Sequence, residues 1–113
     1  MNIKRGEIWL ANLDPTIGNE INKTRPVVIV SNNTNNAHNN VLSILPVTSN
    51  TNHIFSFEVF LQKGIANLPK DSKVKADQIR SIDKVRLIKK IGTIPATYIT
   101  QINNAIQLHL DLI

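Results

Sequence analysis

Two polar side chains stand at the ends of strand-like apolar segments, where they could bind a phosphate group. Arg25 precedes the β-branched run 27–30, and Thr48 closes the apolar run 41–48. A guanidinium can hold two oxygens of one phosphate, and a hydroxyl can add a further hydrogen bond. An arginine before a strand is also a common salt-bridge partner, and a threonine at a strand end often bonds its own turn. Each residue alone therefore leaves both interpretations open.

A second polar group occupies residues 75–80. Alternation along a strand puts Lys75 and Asp77 on one face, with Gln78 and Arg80 on the other. An aspartate beside a lysine could accept a proton while the ammonium holds an anion. The same pair could equally be a solvated ion pair, and Arg80 could instead brace the short helix that we expect after it.

Other groups that could do chemistry are isolated. Histidine is a common general base, and the chain has His38, His53 and His109, of which His53 is the first candidate. No two of them are at ligand spacing, and the chain has no cysteine, so we expect no metal and no cofactor. Trp9 could stack on a base, but its apolar surroundings favour a place in the core or in a dimer interface.

Bulk composition restricts the class of protein. The 113 residues predict one domain, 1–113, and the net charge of +5 favours anionic partners such as nucleic acid or an acidic protein segment. The N-terminus lacks the apolar core of a signal peptide, and no window approaches the roughly 18 apolar residues of a membrane span. We therefore expect a cytoplasmic protein.

The elements that must position these side chains are mostly strands. The predicted strands are 7–13, 26–31, 41–48, 54–61 and 73–82. Pro46 indicates an edge or a bulge in the third. We expect a polar loop over 14–24, a mobile loop over the asparagine tract 32–40, and turns over 62–72. Asp83 could cap a short helix over 84–90, and apolar residues at spacings of three and four predict a last helix after Pro95. The fold expected is mainly β, a small curved sheet or barrel with a C-terminal helix packed on it.

Four segments together resemble the MazF/PemK/Kid toxin family. They are KRGEIWLANLDPTIGNE (4–20), TRPVVIVSN (24–32), LPVTSN (45–50) and ADQIRSIDKVRL (76–87). Their order and spacing agree with the family from about residue 3 to the C-terminus. The resemblance implies an SH3-like, CcdB-like barrel that forms a homodimer, and a ribosome-independent endoribonuclease of a toxin–antitoxin pair. It also implies cleavage of single-stranded RNA without a metal, by attack of the 2′-hydroxyl on the neighbouring phosphorus.

Family positions then assign roles to this chain's residues. Arg25, Thr48 and Asp77 match residues treated as catalytic, with the aspartate as general base. The expected RNA-binding residues are Glu20, Lys23, Ser49, Lys75, Gln78 and Arg80. The chain departs from common family residues at three positions, where it has Asn19 for histidine, Ile21 for glutamine and Lys75 for arginine. The partner implied is a MazE-like antitoxin whose acidic, disordered tail competes with RNA for the basic surface.

Two alternatives remain beside the nuclease. A CcdB-like toxin would bind DNA gyrase without catalysis, and a decayed family member would bind RNA without cutting it. Gyrase-binding toxins lack the Arg-Pro strand entry and the Pro-Val-Thr-Ser motif, and they often end in Trp-Gly-Ile. This chain has both motifs and ends in Leu-Asp-Leu-Ile, which favours the nuclease.

Overall fold

A computed structural model describes residues 2–113, which form seven strands and two α-helices. The strands are β1 (Glu7–Asn12), β2 (Thr24–Ile29), β3 (Val41–Thr48), β4 (Glu58–Leu61), β5 (Ser72–Lys75), β6 (Arg80–Asp83) and β7 (Leu87–Thr93). The helices are α1 (Asn33–His38) and α2 (Ala96–His109). Short 3₁₀ turns cover Ile65–Asn67, Ala76–Gln78 and Lys84–Arg86. Within this described chain, no helix is both long and apolar enough to cross a membrane.

The strands form one antiparallel sheet in the order β4-β5-β3-β2-β1-β7, and β6 branches from β3. β3 is the central strand, because it pairs with β2 along one side and with β6 and then β5 along the other. Pro46 is buried. It lies between the residues of β3 that pair with β6 and those that pair with β5, so its missing N–H removes no hydrogen bond from either of those two pairings. Among residues 2–113 no pairing joins β4 to β7, so the sheet is an open barrel.

Apolar side chains cover both faces of the middle strands. Ile8, Val28 and Leu45 are register partners on one face, and they pack with Ile102 and Ala105 of α2. A second buried cluster covers the other face: Ile3, Trp9, Ala11, Leu13, Val27, Ile29, Leu42, Ile44, Ile82 and Leu87. The prediction that the second strand is buried on both faces is confirmed, although it spans Thr24–Ile29 rather than 26–31. Trp9 lies in the core, as the sequence indicated.

The opening between the sheet ends is filled by the 3₁₀ turn Ile65–Asn67. The side chain of Asn67 donates to the Ile91 carbonyl at 3.0 Å, which ties the turn to β7. A Cβ on Gly92 would lie 2.3 Å from the Ala66 carbonyl oxygen, so only glycine permits this approach. The sequence prediction of turns over 62–72 is confirmed in outline, and the turn Ile65–Asn67 packs against β7.

The asparagine tract is not the irregular loop expected from its composition. Residues 33–38 form α1, and Asn32 caps it by accepting from the Asn35 N–H at 2.8 Å. Asn36 is buried and bonds Ser31 through both ends of its amide. The expectation was wrong because asparagine supplies caps and internal side-chain bonds as well as solvated loops.

Three further segments differ from expectation. Residues 84–90 are a 3₁₀ turn followed by the start of β7, because pairing with β1 overrides the local helical pattern. Asp83 does cap, accepting from the Val85 N–H at 2.9 Å. Only Glu58–Leu61 of the segment 54–61 is a strand, since Phe55 and Phe57 stack on each other outside the sheet. The segment 73–82 is split into β5 and β6 by the turn Ala76–Gln78.

The C-terminal helix matches its prediction. α2 begins directly after Pro95, and Ile102 and Ala105 bury its apolar stripe against the sheet. Ile113, which the spacing pattern included, lies beyond the helix end and is 72% exposed. Leu108 and Leu110 remain 45% exposed, so the end of the stripe has no cover within the described chain.

Candidate functional site

Arg25 and Thr48 lie on neighbouring strands in one cleft. The register pairs Val27 of β2 with Pro46 of β3, and Arg25 and Thr48 each lie two residues beyond that pair, at the same end of the two strands. Both line a cleft of about 170 Å³, called the Arg25 cleft here. Its remaining lining residues are Thr24, Pro26, Val47, Ser49, Leu68, Pro69, Lys70 and Ser72. The structure therefore brings three predicted site residues, Arg25, Thr48 and Ser49, into one place.

Local hydrogen bonds orient both side chains. The Arg25 Nε donates to the Asn22 carbonyl at 3.1 Å, and the residue is half-buried. The Thr48 hydroxyl oxygen accepts from the Asn50 N–H at 3.2 Å, as a turn threonine does. This bond leaves the hydroxyl hydrogen available as a donor. The turn role and a phosphate-binding role are thus compatible at Thr48.

A second cleft lies beside the loop that connects β1 and β2. It measures about 630 Å³ and is called the loop pocket here. Its lining residues are Pro15, Thr16, Ile17, Asn19, Glu20, Asp77, Gln78, Ile79 and Arg80. Four predicted site residues, Glu20, Asp77, Gln78 and Arg80, are therefore together, but in a different cleft from Arg25.

Gln78 and Arg80 hold the loop in place. The Gln78 amide accepts from the Ile21 N–H at 2.8 Å and donates to the Asn19 carbonyl at 3.0 Å. Arg80 donates to the Leu13 carbonyl at 3.2 Å, so it braces this loop rather than the turn after β6. Glu20 accepts from the Ile17 N–H at 3.3 Å within the same loop. These side chains set the shape of the loop pocket.

A buried carboxylate, that of Glu58, pairs with two lysines, one near a residue of each cleft. Glu58 has no exposed side-chain surface, and its Oε1 accepts from Lys73 at 3.1 Å while its Oε2 accepts from Lys75 at 2.7 Å. Lys73 stands directly opposite Thr48 in the sheet, at the edge of the Arg25 cleft. The Lys75 ammonium also lies 3.6 Å from the Asp77 Oδ1, which reaches the loop pocket. The predicted pair Lys75 and Asp77 is therefore real, and it is largely buried rather than solvated.

The charges around Glu58 decide its ionisation. Burial raises its pKa, but hydrogen bonds from Lys75, the Phe55 N–H and Lys73 outweigh burial and lower the pKa below its usual range. Glu58 is therefore a carboxylate at neutral pH. Asp77 Oδ1 is buried and accepts no hydrogen bond from residues 2–113. A buried acceptor without a hydrogen-bond donor is uncommon in a folded chain, which makes Asp77 a candidate functional group.

Sequence reasoning missed three residues of this arrangement. Glu58, Lys73 and Lys70 were not singled out, although a lone glutamate inside the apolar run FEVFL is a signal of a buried, paired charge. Lys23 was predicted to bind RNA, but it is exposed at the loop end and lines neither cleft. His38, His53 and His109 are exposed and line neither cleft either.

The two clefts together provide cationic and neutral donors and a carboxylate. Arg25, Lys70 and the Thr48 hydroxyl can surround an anion in the Arg25 cleft, and Asp77 of the loop pocket can accept a proton. In the part of the chain that the structure describes, no three His, Cys, Asp or Glu side chains lie close enough to bind a metal ion together. The chemistry available to these residues is anion binding combined with proton transfer.

Comparisons with known proteins identify relatives that are named endoribonucleases. The chain is 43% identical over 115 residues to endoribonuclease MazF9 of Mycobacterium tuberculosis, covering 97% of this chain and 98% of that protein. The crystal structure of MazF from Deinococcus radiodurans superimposes with a TM-score of 0.86 at 24% identity, covering 98% of both chains. A mycobacterial endoribonuclease solved in complex with its cognate antitoxin gives a TM-score of 0.81 at 24% identity, covering 98% of this chain and 97% of that one.

The family itself follows from a match over almost the whole chain. Residues 4–110 fit the model of the PemK-like, MazF-like toxins of type II toxin–antitoxin systems. This match covers all four segments on which the sequence resemblance rested, and both clefts described above. The chain belongs to the PemK-like, MazF-like toxin family of type II toxin–antitoxin systems.

Proposed function

We propose that this chain is the toxin of a type II toxin–antitoxin pair and acts as a ribosome-independent endoribonuclease that cuts single-stranded RNA, including mRNA. Its relative at 43% identity is named an endoribonuclease, and the two chains match over nearly their full length. The observation that carries the proposal is that Arg25 and Thr48, at adjacent ends of β2 and β3, line one cleft. Cleavage of mRNA would inhibit translation and growth.

The proposed reaction uses the RNA's own 2′-hydroxyl as nucleophile. The 2′-oxygen gives its proton to Asp77 and bonds to the adjacent phosphorus, and the bond from phosphorus to the 5′-oxygen breaks. The 5′-oxygen takes a proton from water as it leaves, and Asp77 returns its proton to the solvent, so the products end in a 2′,3′-cyclic phosphate and a 5′-hydroxyl. Asp77 lines the loop pocket and its Oδ1 accepts no hydrogen bond within residues 2–113, which supports its role as base.

The cationic residues stabilise the negative charge that develops on the phosphate during cleavage. Arg25 holds two non-bridging oxygens of the phosphate while Thr48 and Ser49 donate from the strand end. Lys75 adds an ammonium between the two clefts. Glu20, Lys23, Gln78 and Arg80 contact or order the flanking RNA through the loop pocket and its loop. No step in this proposal needs a metal or a cofactor.

The proposed partners follow from charge and from exposed apolar surface. The net charge of +5 attracts an acidic, disordered antitoxin tail to the surface that binds RNA. We further propose a cytoplasmic homodimer, because Leu108 and Leu110 leave the end of the α2 stripe uncovered. Light scattering at micromolar concentration should give twice the chain mass, and a monomer mass would contradict the dimer.

One experiment separates the three candidate functions. A defined single-stranded RNA is incubated with the purified chain in EDTA, and the product ends are analysed. We expect 2′,3′-cyclic phosphate and 5′-hydroxyl ends from the wild type and almost no product from Arg25→Ala. RNA binding without cleavage would support the inactive barrel, and gyrase inhibition with no effect on RNA would support the CcdB-like toxin. Loss of activity in EDTA, restored by Mg²⁺, would refute the metal-independent reaction.

A further inference from the structure

Lys75 is held by Glu58 more closely than by Asp77. The ammonium lies 2.7 Å from Glu58 Oε2 and 3.6 Å from Asp77 Oδ1. The first distance is that of a charge-assisted hydrogen bond, and the second is that of an ion pair without one. Glu58 therefore determines where the Lys75 ammonium lies, and Asp77 is left with an unused acceptor.

Glu58 is itself fixed on three sides. Its Oε1 accepts from the Phe55 N–H at 2.9 Å and from Lys73 at 3.1 Å, and its side chain has no solvent exposure. Cross-strand register reinforces this arrangement, because Glu58 of β4 stands directly opposite Lys75 of β5. A carboxylate with so many donors and no room to move is a rigid support for the lysine.

We propose that Glu58 is a positioning residue for RNA cleavage, which holds the Lys75 ammonium beside Asp77 without letting Lys75 close on it. The inference rests on the proposed function. Lys75 has three donors, and Glu58 uses one of them, so the others can reach a phosphate oxygen when RNA arrives. Asp77 Oδ1 meanwhile accepts no hydrogen bond from Lys75, so it can accept one from the 2′-hydroxyl once RNA binding exposes it. If Lys75 closed on Asp77, it would occupy the acceptor that the reaction needs.

The test compares the effect of Glu58→Gln in two backgrounds. Glutamine keeps the size of the side chain but removes the charge that holds Lys75. In the wild-type background we expect kcat to fall about 10- to 100-fold, because a misplacement near 1 Å has an effect of this order. KM for RNA should change less than kcat. In a Lys75→Met background the same substitution should change kcat by no more than about twofold, because the group that Glu58 positions is absent.

Lys90→Met is the matched control. It removes the lysine that pairs with the other buried glutamate, Glu7, and leaves the contact between Glu58 and Lys75 in place. We expect a lower melting temperature with kcat near that of the wild type. Glu58→Asp keeps the carboxylate and should recover part of the activity. All rates are measured at a temperature at which circular dichroism shows every variant folded, and Glu58→Asp replaces Glu58→Gln in the cycle if glutamine prevents folding.

The outcomes are distinct. A wild-type chain that does not cut RNA refutes the proposed function. A wild-type chain that does cut, with Glu58→Gln equally active, refutes only the positioning role. Equal losses from Glu58→Gln in both backgrounds would also refute it, since Glu58 would then act through the fold rather than through Lys75. A loss confined to the background that retains Lys75 supports it.

Discussion

Arg25 and Asn22 are joined by a hydrogen bond from the guanidinium Nε to the main-chain carbonyl three residues earlier, at 3.1 Å. The bond uses the inner nitrogen and fixes the direction of the side chain. The terminal nitrogens make no hydrogen bond to the residues that the structure describes, so both can turn to a phosphate. An arginine oriented in this way by its own loop provides a donor pair whose geometry exists before the ligand binds.

Replacing Arg25 should remove most of the cleavage activity. Arg25→Ala is expected to lower kcat about 10²- to 10³-fold, because a charge-stabilising donor is lost at the phosphate. Arg25→Lys should also be poor, since a single ammonium cannot grip two oxygens. The measurement is single-turnover cleavage of a defined RNA. Lys63→Ala, which removes an exposed charge outside both clefts, serves as control, and near-normal cleavage by Arg25→Ala would exclude the role.

Thr48 should show a graded response. Thr48→Ala removes both the donor to the phosphate and the acceptor for the Asn50 N–H, so cleavage should fall about 10- to 100-fold. The free energy of unfolding should fall by about 1 kcal/mol from the lost turn bond. Thr48→Ser keeps both functions and should cut RNA within a few-fold of the wild type. A serine variant as slow as the alanine variant would mean that the methyl group, not the hydroxyl, is important.

Acid should destabilise the fold through two buried glutamates. Burial raises the pKa of Glu7 and Glu58, but hydrogen bonds led by Lys90 and Lys75 respectively lower both below the usual range. A carboxylate whose folded-state pKa is lowered stabilises the fold above its unfolded-state pKa, which is about 4.3. That stabilisation disappears as pH falls through the lower, folded-state pKa.

Urea unfolding at several pH values measures this effect. We expect the wild type to keep full stability above about pH 5 and to lose it progressively at lower pH. Glu7→Gln should be less stable than the wild type at neutral pH and should lose less on acidification. An identical slope of stability against pH in the variant and the wild type would show that Glu7 does not contribute.

Gly92→Ala tests how the two ends of the sheet meet. The new methyl carbon would lie 2.3 Å from the Ala66 carbonyl oxygen, so the turn must move away from β7. We expect a loss of about 1–3 kcal/mol in the free energy of unfolding, typical of an overpacked core. Thr93→Ala, an exposed change on the same strand, should lose far less. Equal stability of Gly92→Ala and the wild type would mean that the contact between the turn and β7 is soft.

The sequence correctly predicted the elements that depend only on a local residue pattern. The continuous apolar run at 27–30 identified a strand with two covered faces, and the three-to-four spacing identified α2. The motif residues Arg25 and Thr48 met in one cleft because they end neighbouring strands. Those features depend on the residue types themselves, so they can be predicted without knowing which distant segments pack against them.

Other features depended on distant partners. Residues 84–90 have helix-forming lysines and a capping aspartate, yet most of them join β7 because β1 offers a long antiparallel partner. Glu58 lies in a plain apolar segment, and its partners Lys73 and Lys75 come more than a dozen residues later. Asn36 is buried only because Ser31 satisfies its amide. No local pattern contains this information, since each outcome depends on which segments meet in the folded chain.

The pairing of β1 with β7 joins the first strand of the chain to the last. The apolar layer on Ile8, Val28 and Leu45 is completed only by α2, which follows that last strand. During synthesis on the ribosome, the early strands therefore emerge long before their cover exists. Contacts of such long sequence separation form slowly and as one unit. A nascent chain interrupted before α2 lacks a complete core, so each molecule gains its folded clefts only after α2 has been synthesised.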